Sequence, residues 1–178
     1  MNQDVDIAIL YHVKTMNNKN HEYYMKEALK QARLAYNKGE VPVGCVIVYN
    51  DKIIARAHNL RKTKNDVFAH AESIAIKKAN KKLDSWMLDD VVLYVTLEPC
   101  LMCSEVILQS RIKTVVYGAR EPKFGAVDSL MQVFETKGLN HKVSVVSGVL
   151  EEESSNLLKN FFKELRNNKT LQKNKNSV

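Results

Sequence analysis

The spacing of apolar positions changes from segment to segment along the chain, and each change marks an element. Between residues 21 and 38 they fall at Met25, Leu29, Ala32 and Tyr36, with Ala28 and Ala35 alongside. That is the period of one helical face, and Gly39 is a natural stop. VGCVIVY (43–49) is apolar and β-branched, ND follows, and IIARA (53–57) returns. This predicts a β-hairpin. Residues 58–66 are polar and predict a loop. HAESIAIKKAN (70–80) regains helical character, and VVLYVT (91–96) reads as a buried strand. Pro99 opens a helix to about Ser110, because proline suits a first helical turn. TVVYG (114–118) and VSVVSGV (143–149) predict two further strands, with a Gly- and Pro-containing loop at 119–131 between them. EEESSNLLKNFFKEL (151–165) predicts a last helix, acidic first and basic later, as the helix dipole favours.

Buried runs alternate with helices, so the expectation is an α/β fold with a mixed sheet covered on both faces. No segment repeats. Residues 1–20, which include the polar MNNKN (16–20), predict a flexible extension. Met16 is an alternative start. A folded domain is expected over 21–168, with a basic tail at 169–178.

Composition narrows the class. The 178 residues are 45% hydrophobic and 26% charged, which suits one globular domain. No apolar run approaches the length of a membrane span, and the N-terminus lacks a secretory pattern, so a cytoplasmic location is expected. The net charge is +7. From residue 159 onward Lys159, Lys163, Arg166, Lys169, Lys173 and Lys175 face Glu164 alone. Such an end reads either as a phosphate-contacting surface or as a solvated tail.

The chain has three cysteines, Cys45, Cys100 and Cys103, which is no disulfide framework. Cys100 and Cys103 share one face of a helix start, where unpaired N–H groups lower a thiol's pKa and favour the thiolate that zinc binds. His70 also precedes a helix and is the natural third ligand. Three protein ligands leave an open position, the mark of a catalytic zinc. Glu72 could then move a proton to and from water. Residue by residue, plainer readings stay open: two packed cysteines, a surface histidine, a glutamate serving the helix dipole. A structural zinc with Cys45 as fourth ligand also stays open.

HAE followed by PCLMC resembles the signature of the zinc-dependent nucleobase deaminases. The likeness extends to EVPVGCVIV (40–48), LYVTLEPCLMC (93–103), SRIKTVVYGAR (110–120), KFGAVDSL (123–130) and LNHKVSVVSGVL (139–150). Over about 21–166 the chain is similar to the bacterial tRNA-specific adenosine deaminases of the cytidine deaminase superfamily. The resemblance implies a three-layer α/β/α cytidine-deaminase-like fold with a five-stranded mixed sheet. It implies one zinc per subunit on His70, Cys100 and Cys103, and Glu72 as the catalytic proton carrier. The implied reaction is hydrolysis of adenosine to inosine at the wobble position of a tRNA anticodon stem-loop.

By the same resemblance Asn59 would hydrogen-bond the flipped base, Val43 and Ala71 would wall the pocket, and Lys123 would contact RNA. Phe162, beside cations on the last helix, is a candidate for stacking a base. A homodimer is implied, and no membrane partner. Phe68 and Glu121 depart from the family pattern, which has a small or hydroxyl residue and an aspartate there. The alternative reading is a small-molecule guanine or cytosine deaminase of the same superfamily, since the zinc chemistry would serve either.

Overall fold

In the central strands, consecutive side chains enter different cores. Cys45 and Ile47, Leu93 and Val95, and Val115 and Tyr117 join one buried cluster. Their neighbours Val46, Val48, Tyr94 and Val116 join another. A strand turns successive side chains to opposite faces, so a strand apolar at every position needs cover on both sides. That requirement sets the layers of the fold.

The structure, a computed structural model, describes residues 18–175. Most of the expected N-terminal extension, with Met16, lies outside the described residues; 18–20 belong to the first helix. The order is α1 (Asn18–Asn37), β1 (Gly44–Tyr49), β2 (Lys52–His58), α2 (Arg61–Lys64), α3 (Ala71–Leu83), β3 (Val91–Leu97), α4 (Leu101–Gln109), β4 (Thr114–Ala119), a 3-10 turn (Val133–Glu135), β5 (Ser144–Val146) and α5 (Glu151–Lys175). The five strands form one sheet in the order β2-β1-β3-β4-β5. β1 is antiparallel to β2 and β3, while β3, β4 and β5 are parallel. Helices α3 and α4 supply Ala71, Ala75, Ile76, Ala79, Ile107 and Leu108 to one cluster. Helix α1 supplies Tyr24, Met25 and Ala28 to the other, and α5 packs on β4 on that face.

Local chemistry explains the details. Asn50 and Asp51 close the β1–β2 hairpin with φ of 47° and 57°, the left-handed pair a type I′ turn requires. At Gly44 a Cβ would lie 2.0 Å from the Ala28 carbonyl oxygen, so only glycine lets α1 reach β1.

Four expectations change. The polar stretch 58–66 contains the one-turn helix α2, closed by Asn65 at φ 50°. Cys100 is the cap before α4 rather than a first-turn residue. β5 pairs over only three residues, because Gly148 at φ 79° turns the chain toward α5. Helix α5 continues past its expected end at 165 to Lys175.

Topology then gathers a site. β2, β3 and β4 run the same way, so their C-terminal ends and the start of β1 share one edge of the sheet. Clefts form beyond such carboxyl ends, where connections diverge.

Candidate metal centre and its cleft

Two helix starts meet at this edge. His70 caps α3 and Cys100 caps α4, both with extended backbone, and Cys103 lies in the first turn of α4. The imidazole Nδ1 of His70 is 3.7 Å from Cys100 Sγ and 3.5 Å from Cys103 Sγ. All three donor atoms lie within 4.8 Å of one another, and among the described residues they are the one cluster able to hold a metal ion. Donors ~2.0–2.3 Å from a shared tetrahedral ion stand ~3.5–3.8 Å apart, so the spacing and the sulfur–nitrogen set fit such an ion. Cys45 is outside the cluster, fully buried in the core beneath it.

The electrostatics favour a thiolate at Cys100. The Cys100 thiol is held down to about 4 by the Cys103 thiol hydrogen bond and then by His70. Cys103, sharing a proton with that thiolate and buried, is pushed up. His70 is raised by its hydrogen bond to Cys100. The Ser73 hydroxyl lies 3.9 Å from Cys103 Sγ. Glu72, on the first turn of α3, is only 4% exposed, and burial raises its carboxyl above the usual range.

Around this floor opens a cleft of about 1010 Å³. Every residue expected from the sequence borders it: Val43, Asn59, His70, Ala71, Glu72, Cys100, Lys123 and Phe162, with Cys103 buried just behind. Asn59 Nδ2 donates to the Val41 carbonyl at 3.3 Å, which fixes the amide's orientation. Phe161 and Phe162 part company. Phe161 is buried against Tyr36, with ring centroids 5.5 Å apart, whereas Phe162 is 40% exposed at the cleft wall. Val67 borders the cleft; Phe68 is exposed and does not. The Glu121 carboxylate accepts the Lys123 backbone N–H at 3.0 Å, bracing its own loop.

Sequence reasoning missed several residues. Arg61 and Arg120 join the expected Lys123, Lys159 and Arg166 around the opening. Buried Glu98, beside Pro99, was read only as part of a motif. A glutamate ending an apolar strand was the available signal, because a buried carboxylate demands partners.

The comparisons with known proteins agree with this geometry. Residues 19–166 match the MafB19-like deaminase family model. The chain is 52% identical to the tRNA-specific adenosine deaminase of Bacillus subtilis over 83% of this chain and 92% of that one. It belongs to the tRNA-specific adenosine deaminase family. A solved structure described in a study of A-to-I editing by tRNA:A34 deaminases at the wobble position superposes with a TM-score of 0.74 at 43% identity. That match covers 76% of this chain and 99% of the other. The guanine deaminase of Bacillus subtilis superposes less well, with a TM-score of 0.55 at 36% identity, covering 66% of this chain and 85% of that one. The mixed five-stranded sheet between helices is therefore the deaminase fold, and the family's match spans both metal-cluster helices and the cleft wall on α5 as far as Arg166.

Proposed function

We propose that this chain hydrolyses adenosine to inosine at the wobble position of a tRNA anticodon loop. The observation that carries the proposal is the His70–Cys100–Cys103 cluster with buried Glu72 beside it, in a chain so similar to a tRNA-specific adenosine deaminase over nearly its whole length.

His70, Cys100 and Cys103 would hold one zinc per subunit; bound there, zinc supplies Lewis-acid activation of a water nucleophile. Glu72 takes a proton from the attacking water and delivers it to the purine ring nitrogen, then takes the proton of the newly added hydroxyl and delivers it to the amine, which leaves as ammonia. Burial suits it to that work, because a carboxyl raised above the usual range holds a proton more readily between transfers. Asn59, with Nδ2 engaged by Val41, offers Oδ1 to the base. Val43 and Ala71 wall the base's pocket. Phe162 offers a face for stacking, and Lys123 and its neighbouring cations meet phosphates. A base must leave its stack to reach a floor this recessed, which suits a single-stranded loop.

The catalytic unit is placed at 21–168, in the cytoplasm, where tRNA is found. No helix among the described residues is long and apolar enough to cross a membrane. We also propose a homodimer. Leu101, Phe124, Leu130 and Met131 are 50%, 69%, 58% and 44% exposed. They are drawn together by the Cys100–Gly125 bridge and by Gly125's carbonyl, which accepts from Leu130 and Met131. Exposed apolar clusters of this kind mark interfaces.

The test uses purified, metal-loaded protein and a synthetic anticodon stem-loop with adenosine at the wobble position. Inosine, read as guanosine on reverse transcription, is expected. An unedited RNA alongside deamination of free guanine or cytosine would establish the small-molecule reading instead.

A further inference from the structure

The two lips of the cleft are each tied down by a buried glutamate with no place in the proton chemistry. Glu98 is 2% exposed. Its Oε1 accepts backbone N–H groups from Val127 (3.1 Å), Asp128 (2.8 Å) and Ser129 (2.9 Å). Its Oε2 accepts the N–H of Glu121 (2.9 Å) and the hydroxyl of Ser129. The segment is drawn so tightly around the carboxylate that a Cβ at Gly125 would fall 2.4 Å from Glu98 Cδ. Next along the chain, the Pro99 carbonyl accepts Ala126 N–H at 2.9 Å, and Cys100 bridges Gly125. One short stretch, Glu98–Cys100, therefore carries both a metal-cluster thiol and the anchor of the lip.

On the opposite side Glu40, also 2% exposed, accepts the N–H groups of Lys62 (3.1 Å) and Thr63 (2.5 Å). That contact holds α2, whose first residue Arg61 borders the cleft together with Asn59.

A carboxylate has about four lone-pair sites. Five donors occupy those of Glu98, so it has none left to take a proton from substrate or water. Losing the acceptor would strand the buried amide of Val127 and the part-buried amides of Glu121, Asp128 and Ser129, whose desolvation is costly. The anchored segment carries Arg120, Glu121, Lys123 and Phe124, which border the cleft.

From this we infer that Glu98 is a positioning residue: it fixes the lip at 120–129 against the metal centre, so that Lys123 meets the RNA at a set distance from the reacting base. Glu40 does the same for the facing lip. The inference rests on the tRNA reading above and adds which buried groups give the cleft its grip.

The test compares wild type, Glu98→Gln and Glu40→Gln. Metal content and amide hydrogen exchange are measured without RNA, and steady-state kinetics with the anticodon stem-loop. For Glu98→Gln the expected result is full metal content and exchange at Val127, Asp128 and Ser129 faster by about tenfold or more, as lost charged hydrogen bonds imply. KM for the stem-loop is expected to rise about tenfold while kcat falls less. Lys123→Ala should cost less in the Glu98→Gln background than in wild type, since the first change has already freed the lip. Unchanged exchange, an unchanged KM, or full additivity with Lys123→Ala would overturn the inference. Should Glu98→Gln fail to fold, Ser129→Ala removes one of the five donors and is expected to shift exchange and KM in the same direction; no shift would overturn it equally. Wild-type protein that leaves the stem-loop unedited overturns the tRNA reading instead. The exchange data, which need no RNA, tell the two failures apart.

Discussion

At the scale of the residue, the centre depends on three donor atoms drawn to within 4.8 Å of one another. Two sulfurs and a nitrogen stand 3.5 and 3.7 Å apart across the pairs to His70, with one thiol already held toward its anion. Cys103→Ala should therefore lose bound metal and lower the melting temperature, because metal-binding free energy is also folding free energy. Elemental analysis and a thermal melt check both. Of the two adjacent phenylalanines, Phe161 is buried and Phe162 is exposed at the cleft wall. Phe162→Ala is expected to weaken stem-loop binding by ~1–3 kcal/mol, the worth of one stacked base, and to leave the melting temperature nearly unchanged. The His70–Cys100–Cys103 cluster could be suspected from the sequence because its signals are local, in residue type, spacing and helix starts, and the structure brings the three together. Glu98 and Glu40 could not be, because their meaning lies in the amides they accept, and those come from segments 22 to 31 residues away in sequence.

At the scale of the element, strands were easier to read than loops. The β-branched runs 43–49, 91–96 and 114–118 announce themselves by composition, and the structure keeps all three to within a residue or so. The one-turn α2 has no apolar periodicity, since none of its residues is buried; Glu40 holds it through two backbone N–H groups. Its existence is a tertiary fact that no local pattern reports. The same contact gives a pH signature. Burial alone would raise the Glu40 carboxyl, but hydrogen bonds from Thr63 and Lys62 outweigh it and hold the group below the usual range. A carboxyl lowered by folding contributes stability above its unfolded pKa, and that contribution fades as pH falls through the folded value. Denaturant titrations between neutral pH and the acid limb should show wild type losing more stability than Glu40→Gln. Parallel curves would deny the clamp its electrostatic part.

At the scale of the whole molecule, the sheet edge, the two lips and the cationic rim combine into one open cleft. Arg61, Arg120, Lys123, Lys159 and Arg166 come from three separate parts of the chain. Only the run from residue 159 onward could be seen as a basic cluster in the sequence; the rest is assembled by folding. Binding of a stem-loop should weaken as salt rises, with a log–log slope that falls by about one for each rim cation removed. Fluorescence anisotropy at several salt concentrations reads that slope for wild type and Lys123→Ala. All of these effects serve one claim, that Glu72 moves the proton at a metal held by three protein ligands. The most direct measurement pairs metal content with inosine formation in wild type and Glu72→Gln, which differ by one buried group of the same shape. About one zinc per chain is expected in both, with inosine formed by wild type and a rate at least ~100-fold lower in the variant. A variant that keeps its metal and still edits at the wild-type rate would contradict the account.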